Sequence, residues 1–244
     1  MMDNKPVKAI LFDLDNTLIE TSRAGEVAMQ KTAELLKSSL SLDDDIIRSI
    51  CDKFKRKLLH ESFDPTAGRS IDELRVGHWE ESLQEAVGGA CSPTLAAQCY
   101  SLWKRSRLER LSLAPEVRSL LELLRSTYKL LLLTNGEAAT QRQKVEAAGC
   151  EELFDAIVIG GEHAEQKPSV SIFMWCFHLL QVQAEDCVMV GDSLDTDIQG
   201  GFDAGVRATV WISSAAGVVP HDSVKPDYTI PTVLDLPQVL AQLK

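Results

Sequence analysis

Residues 7–18 read "VKAILFDLDNTL", and both the fold and the chemistry turn on this stretch. It opens as a continuous apolar run bounded by charge, the pattern of a strand covered on both faces. The run ends in Asp13 and Asp15, separated only by Leu14. Two carboxylates at the end of a buried strand are costly unless something cationic sits beside them. A solvated loop is the plain alternative, and the rest of the chain has to decide between the two.

Four more short apolar runs follow: "KLLLLTN" (129–135), "DAIVIGG" (155–161), "CVMVGD" (187–192) and "ATVWI" (208–212). Between them the pattern turns helical. Val117, Leu120, Leu121 and Leu124 recur at i, i+3, i+4 and i+7, with Pro115 in the first turn, where its missing N–H does no harm. Helices over 138–148 and 194–204 are predicted to end at Gly149 and Gly205, each as a left-handed residue just past the helix. Strands alternating with helices imply βαβ units and a mostly parallel sheet.

Residues 21–112 read differently, with helical periodicity and hardly any strand signal. Ile47, Ile50, Cys51, Phe54 and Leu58 form the stripe of an amphipathic helix. Leu95, Cys99, Leu102 and Ser106 mark a second, and Ile71, Leu74 and Leu83 a third, with loop signals at 64–68 and 88–93. The predicted architecture is an α/β fold, a doubly wound Rossmann-like parallel sheet core over residues 1–20 and 113–244 with a helical module, 21–112, inserted after the first strand. A chain of 244 residues is long enough for such a domain and insertion.

A formal net charge of −11 disfavours nucleic acid and anionic membranes as partners, since both require a basic face. The six cysteines are scattered without a C-x-x-C pair and read as reduced core residues, which suggests a reducing compartment. Asp13 and Asp15 interrupt any N-terminal apolar leader, and no apolar stretch approaches the ~20 residues of a membrane span. A soluble, cytoplasmic protein is expected. No heptad or long apolar stripe stands out, so a monomer is expected as well.

In an open parallel sheet, ligands bind beyond the carboxyl ends of the strands. The first strand delivers Asp13, Asp15 and Thr17 there, the second Thr134, Asn135 and Gly136, and "VGDSLDTD" delivers Asp192, Ser193, Asp195 and Asp197. "EQKPS" contributes Lys167, fixed beside Pro168. Carboxylates from two strands with one lysine and one hydroxyl suit Mg2+ and a phosphoryl group, because hard oxygen ligands suit magnesium and lysine suits phosphate.

"DLDNTL", "LLLTNG", "QKP" and "VGDSLDTDIQGG" stand in the order and approximate spacing of the four motifs of the haloacid dehalogenase-like (HAD) superfamily, which the chain resembles over nearly its whole length. The helical module is similar to that superfamily's C1-type cap. The resemblance implies Asp13 as nucleophile, forming an aspartyl phosphate, and Asp15 as the acid that protonates the leaving group and then the base for water. It implies Mg2+ held by Asp13, the backbone carbonyl of Asp15 and Asp192. Thr134, Lys167 and backbone amides around Leu14, Asp15, Asn16 and Asn135 would hold the phosphoryl oxygens. Thr17, Gly136 and Asp197 would stand behind these groups, Asp197 orienting Lys167 or a metal-bound water.

The relatives that cleave carbon–halogen bonds lack an acid at the place of Asp15, because halide leaves without a proton. Asp15 therefore points to phosphate esters. Asn16 stands where many relatives have glycine, and Gly201 where alanine is common; neither removes a catalytic group. "GHWEESLQEAVGGA" (77–90) and "CYSLWKRSRL" (99–108) narrow the likeness to phosphatases acting on a phosphorylated sugar acid, whose carboxylate a residue of the cap should meet. Arg75, His78 and Arg107 are the candidates taken forward from a set that also holds Arg69, Lys104 and Arg105. Trp79 and Trp103 read as core of the cap. Another small phosphate ester such as phosphoglycolate, or a core that binds a phosphorylated metabolite without turning it over, are the rival readings.

Overall fold

The computed structural model describes residues 6–88, 92–213 and 223–243. Cys91, His221 and the last residues of the "GHWEESLQEAVGGA" segment lie outside them. The chain divides into two compact units, one of Met1–Glu20 with Leu111–Lys244, the other Thr21–Arg110. Sequence reading put the second crossing after residue 112; in the structure it follows Arg110.

The first unit is built on a six-stranded parallel sheet. Its strands are β1 (Ala9–Phe12), β2 (Lys129–Thr134), β3 (Ala156–Ile159), β4 (Cys187–Gly191), β5 (Ala208–Ile212) and β6 (Tyr228–Ile230), in the order β3-β2-β1-β4-β5-β6. β1 is central, with Ala9 facing Lys129 on one side and Cys187 on the other, and all its side chains are fully buried. That explains its unbroken apolar run. The connection after β1 runs to β2 on one side and that after β4 runs to β5 on the other, so β1 and β4 flank the crevice in which doubly wound sheets bind ligands.

Alternate residues serve alternate faces of the sheet. Ala9 and Leu11, Leu131 and Leu133, and Cys187 and Met189 share one face, packed against Phe173, Cys176 and Phe177 of α7 (Val170–Leu180). α5 (Pro115–Arg125) buries Val117, Leu120, Leu121 and Leu124, the four periodic positions of the sequence. α6 (Ala138–Ala148) ends at Gly149 with φ of 59°.

Two features depart from the expected pattern. The predicted helix over 194–204 is split into a π-helical turn, Leu194–Ile198, and a short α8, Gln199–Asp203, before Gly205 at φ of 75°. Ile198 N donates to Ser193 O, five residues back, while the Asp197 carboxylate is drawn inward to Lys167 and the Ser193 N–H. The site's polar contacts thus prevail over regular helix geometry. β6 escaped sequence reading because it is three residues long and follows Pro226.

The second unit is four helices: α1 (Thr21–Leu40), α2 (Asp44–Leu59), α3 (Ile71–Val87) and α4 (Pro93–Leu108). α1 packs on α2 and α4, and α3 packs on the same two. α3 starts in a capping box, Ser70 Oγ accepting from Glu73 N while Ser70 N donates to the Glu73 carboxylate. The core holds Ile47, Ile50, Cys51 and Phe54 as expected, with Phe54 stacked on Trp79 at 4.0 Å and edge-on to Trp103 at 5.4 Å. Trp79 is fully buried, yet its Nε1 has no hydrogen-bond partner among the described residues. Trp79→Ala is expected to cost about 3–5 kcal/mol in chemical denaturation through the cavity it leaves. Trp79→Phe should cost much less, because it removes a buried donor without a partner; equal losses for the two would contradict this account.

Cys51, Cys99, Cys150, Cys176 and Cys187 are buried and outside any disulfide. Burial pushes the thiols of Cys51 and Cys150 up to about 11 and those of Cys176 and Cys187 up to about 12, so they act as inert packing. No helix among the described residues is long and apolar enough to cross a membrane.

Candidate active site

β1 ends by handing the Asp13 N–H to Val190 O of β4 at 2.9 Å, which continues the ladder and fixes Asp13 at the mouth of the crevice. The chain then turns sharply, with Asn16 in the left-handed region at φ of 59°. That turn leaves Asp13 buried and Asp15 partly open to solvent.

Lys167 lies at the centre of the site. Its Nζ donates to Asp13 Oδ1, Asp197 Oδ1 and Leu133 O, each at 2.7 Å, which uses all three ammonium protons. Burial opposes its charge, but Asp13 and Asp197 outweigh that and hold it well above the usual lysine range. Its backbone is held just as firmly: Lys167 N donates to Asn135 Oδ1 at 3.0 Å and Asn135 Nδ2 donates to Lys167 O at 2.8 Å. Gly136 N donates to Gln166 Oε1 at 3.1 Å, from a φ of 119° that suits glycine. The "QKP" and "TNG" segments are therefore one hydrogen-bonded unit, with Lys167–Pro168 cis.

Asp197 has both oxygens engaged, one by Lys167 and the other by Ser193 N at 3.0 Å. Its carboxylate lies against Gly191, where any Cβ would collide with it, so glycine is required to end β4. Asp192 receives a hydrogen bond from the Asn16 side chain, and its own carbonyl accepts from Trp211 Nε1 at 2.8 Å. The Asn16 N–H, expected to reach a phosphoryl oxygen, is committed to Ile19 O at 2.8 Å instead. Asn16 thus serves Asp192 through its side chain.

Asp13, Asp192 and Asp197 each bring a carboxylate oxygen within 4.8 Å of the others. Lys167 offsets only one of these three charges. Burial is the chief reason that the Asp13 carboxyl stands far above the usual range; Lys167 pulls it down and Asp197 pushes it up again. Burial, then Asp197, pushes Asp192 up to about 6. Oxygen-only donors, surplus negative charge and a buried Thr17 hydroxyl with no partner among the described residues fit a hard divalent cation. With Asp197 occupied on both oxygens, Asp13 and Asp192 are the carboxylates left to hold it.

Thr134, at the end of β2, is buried and accepts from Gln141 Nε2 at 2.5 Å, which leaves its hydroxyl proton to donate. Gln141 also donates to Asp15 Oδ2 at 3.0 Å, and Lys144 Nζ donates to both Asp15 oxygens, at 2.9 and 2.7 Å. Sequence reading missed Gln141 and Lys144. The available signal was their place on the inward face of α6, with Val145 and Ala148, where a polar residue must have a partner.

The cap candidates are described within their own unit. Arg75 pairs with Glu61 through Nε and Nη2 at 2.8–3.2 Å, and His78 Nε2 lies 3.4 Å from the same carboxylate. Arg107 sits over the Trp103 ring at 5.3 Å. Lys104 pairs with Asp72, and Arg69 donates to Glu73 O.

Comparison with known proteins agrees with this geometry. Residues 10–211 match the family model of haloacid dehalogenase-like hydrolases. The chain is 49% identical over 238 residues to human N-acylneuraminate-9-phosphatase, covering 97% of this chain and 95% of that protein. It is 26% identical to the glyceraldehyde 3-phosphate phosphatase of Methanocaldococcus jannaschii, over 98% of this chain and 99% of that one. Among solved structures, the HAD-hydrolase YfnB of Bacillus subtilis, crystallised with magnesium, superposes with a TM-score of 0.70 at 24% identity, covering 97% of this chain and all of that one. From its central strand to its fifth, the chain belongs to the haloacid dehalogenase-like hydrolases.

Proposed function

We propose that this hydrolase converts N-acylneuraminate 9-phosphate to N-acylneuraminate and phosphate, the dephosphorylation step of sialic acid biosynthesis. The observation that carries the substrate is the 49% identity to the human phosphatase across 97% of the chain, helical unit included. Asp13 against Lys167, with Asp15 two residues on, supports the chemistry.

An Asp13 oxygen attacks phosphorus, a P–O bond forms to it and the ester P–O bond breaks. Asp15 gives its proton to the departing C9 oxygen. Water then attacks the same phosphorus, its proton passes to Asp15, and the bond to Asp13 breaks to restore the carboxylate. The Thr134 hydroxyl and the backbone N–H groups of Leu14 and Asn135 hold phosphoryl oxygens, and Lys167 reaches them by exchanging one of its three bonds. Asp13, the Asp15 carbonyl and Asp192 would hold a magnesium ion, which would supply the positive charge that lets an anionic nucleophile approach an anionic phosphate.

The helical unit is assigned as the cap that selects the sugar acid. Arg75, His78 and Arg107 are its candidate carboxylate receptors, and Arg75 and His78 would each reach the sugar acid by exchanging Glu61. The reading includes a cytoplasmic monomer without nucleic-acid or membrane partners, supported by five buried cysteines outside any disulfide and a charge of −11.

The test is phosphate release by the purified protein. N-acetylneuraminate 9-phosphate is expected to exceed phosphoglycolate and sugar 6-phosphates in kcat/KM by about 10³-fold or more, because unmatched polar groups in a site discriminate strongly. EDTA should abolish the activity and Mg2+ restore it. Equal, weak rates on all esters would discard the substrate, and metal-independent rates would discard the cation.

A further inference from the structure

We propose that Gln141 and Lys144 form a positioning clamp for Asp15, holding the acid–base carboxylate at one orientation and linking it to Thr134. This rests on the reading of Asp15 as acid and base. Gln141, Lys144, Val145 and Ala148 are the buried face of α6. Burying an amide and an ammonium where packing calls for apolar residues is unfavourable unless both find partners. Here the partners belong to the reacting site: Lys144 Nζ spans both Asp15 oxygens at 2.9 and 2.7 Å, and Gln141 Nε2 bridges Asp15 Oδ2 and Thr134 Oγ1.

The clamp has a structural base. Glu137 caps α6, accepting from Ala139 N and Thr140 N at 2.8 Å each, which fixes the first turn from which Gln141 projects. The Lys144 side chain is 7% exposed, whereas that of Asp15 is 26% exposed. The anchor is thus buried while the held carboxylate keeps a face open to a leaving group or a water. Without the clamp, Asp15 rotates toward solvent and loses the geometry for taking a proton from water; the clamp holds the ionised form, and one contact is exchanged when Asp15 carries the proton for the leaving group.

Lys144→Met keeps the length and removes the donors. On N-acetylneuraminate 9-phosphate, kcat is expected to fall about 10²-fold with KM within about threefold of wild type, the mark of an interaction used after binding. On p-nitrophenyl phosphate the leaving group needs no proton, so Asp13 is still phosphorylated while hydrolysis of the aspartyl phosphate, which needs Asp15 as base, slows. The expected signature is a burst of about one p-nitrophenolate per active site followed by a slow steady state. Gln141→Leu should give the same pattern with a smaller loss, and serves alone if Lys144→Met does not fold.

A kcat within about threefold of wild type on both esters, or a loss without a burst, overturns the clamp. A loss that merely follows a lowered Tm does so too, because a structural ion pair predicts that result. Wild type inactive on every ester with Mg2+ would instead sink the phosphatase reading itself. Wild type active on p-nitrophenyl phosphate but not on the sugar ester would remove only the substrate, and the burst test would still decide the clamp.

Discussion

Asp13→Asn abolishes phosphate release, lowering kcat by about 10⁴-fold or more, and leaves the protein at least as stable as wild type. The catalytic loss follows because an amide cannot supply the anionic oxygen that forms the bond to phosphorus. Stability is kept for a separate reason. Asn has the shape of Asp and its Oδ1 still accepts from Lys167 Nζ, which also retains Asp197 and Leu133 O. What disappears is a buried charge that burial and Asp197 both disfavour. An active site that gathers like charges lowers the stability of the fold, and neutralising one of them relieves that cost. Phosphate release with Mg2+ present and a thermal melt of the metal-free protein check the two halves. Residual turnover above about one per cent would remove Asp13 as nucleophile, and a Tm well below wild type would mean that Asp13 is chiefly a structural partner of Lys167.

How much of this was legible beforehand differs by element. β1 could be read because a central parallel strand must be apolar on both faces, so the two aspartates at its end stood out. The stripe Ile47, Ile50, Cys51 and Phe54 was equally plain, since one face of α2 is all that it buries. The π-helical turn at Leu194–Ile198 was not legible: its residues suit an α-helix, and only the pull of Lys167 and Ser193 N on Asp197 changes the winding. Asn135 was assigned to phosphate through its backbone amide by its place in a motif; that its side chain also serves the Lys167 backbone was not legible, because spacing fixes which segments meet and says nothing of which atoms pair. Asn16 and Gln141 teach the same lesson, because each acts through a partner more than a hundred residues away.

Lys167→Met is expected to destabilise the fold by about 3–5 kcal/mol in chemical denaturation, and adding Asp197→Asn to return most of that loss. The Lys167 side chain is 1% exposed and bridges the side chains of Asp13 and Asp197, 9% and 1% exposed, so water cannot take its place. Methionine fills the volume but leaves Asp13 and Asp197 with like charges and no counterion, and Leu133 O without its donor. Removing one partner of a buried ion pair is far worse than removing the pair, because the penalty falls on the charge left behind. In the double variant the amide that replaces the Asp197 carboxylate can still accept from Ser193 N through its oxygen and turn its N–H groups toward Asp13, and only one buried charge remains. The four proteins form a cycle whose coupling should be on the order of 2 kcal/mol or more, favouring the double change. Simple additivity would mean that the two carboxylates do not share Lys167 in solution, and the reading of Asp197 as the group that holds Lys167 against Asp13 would fall with it.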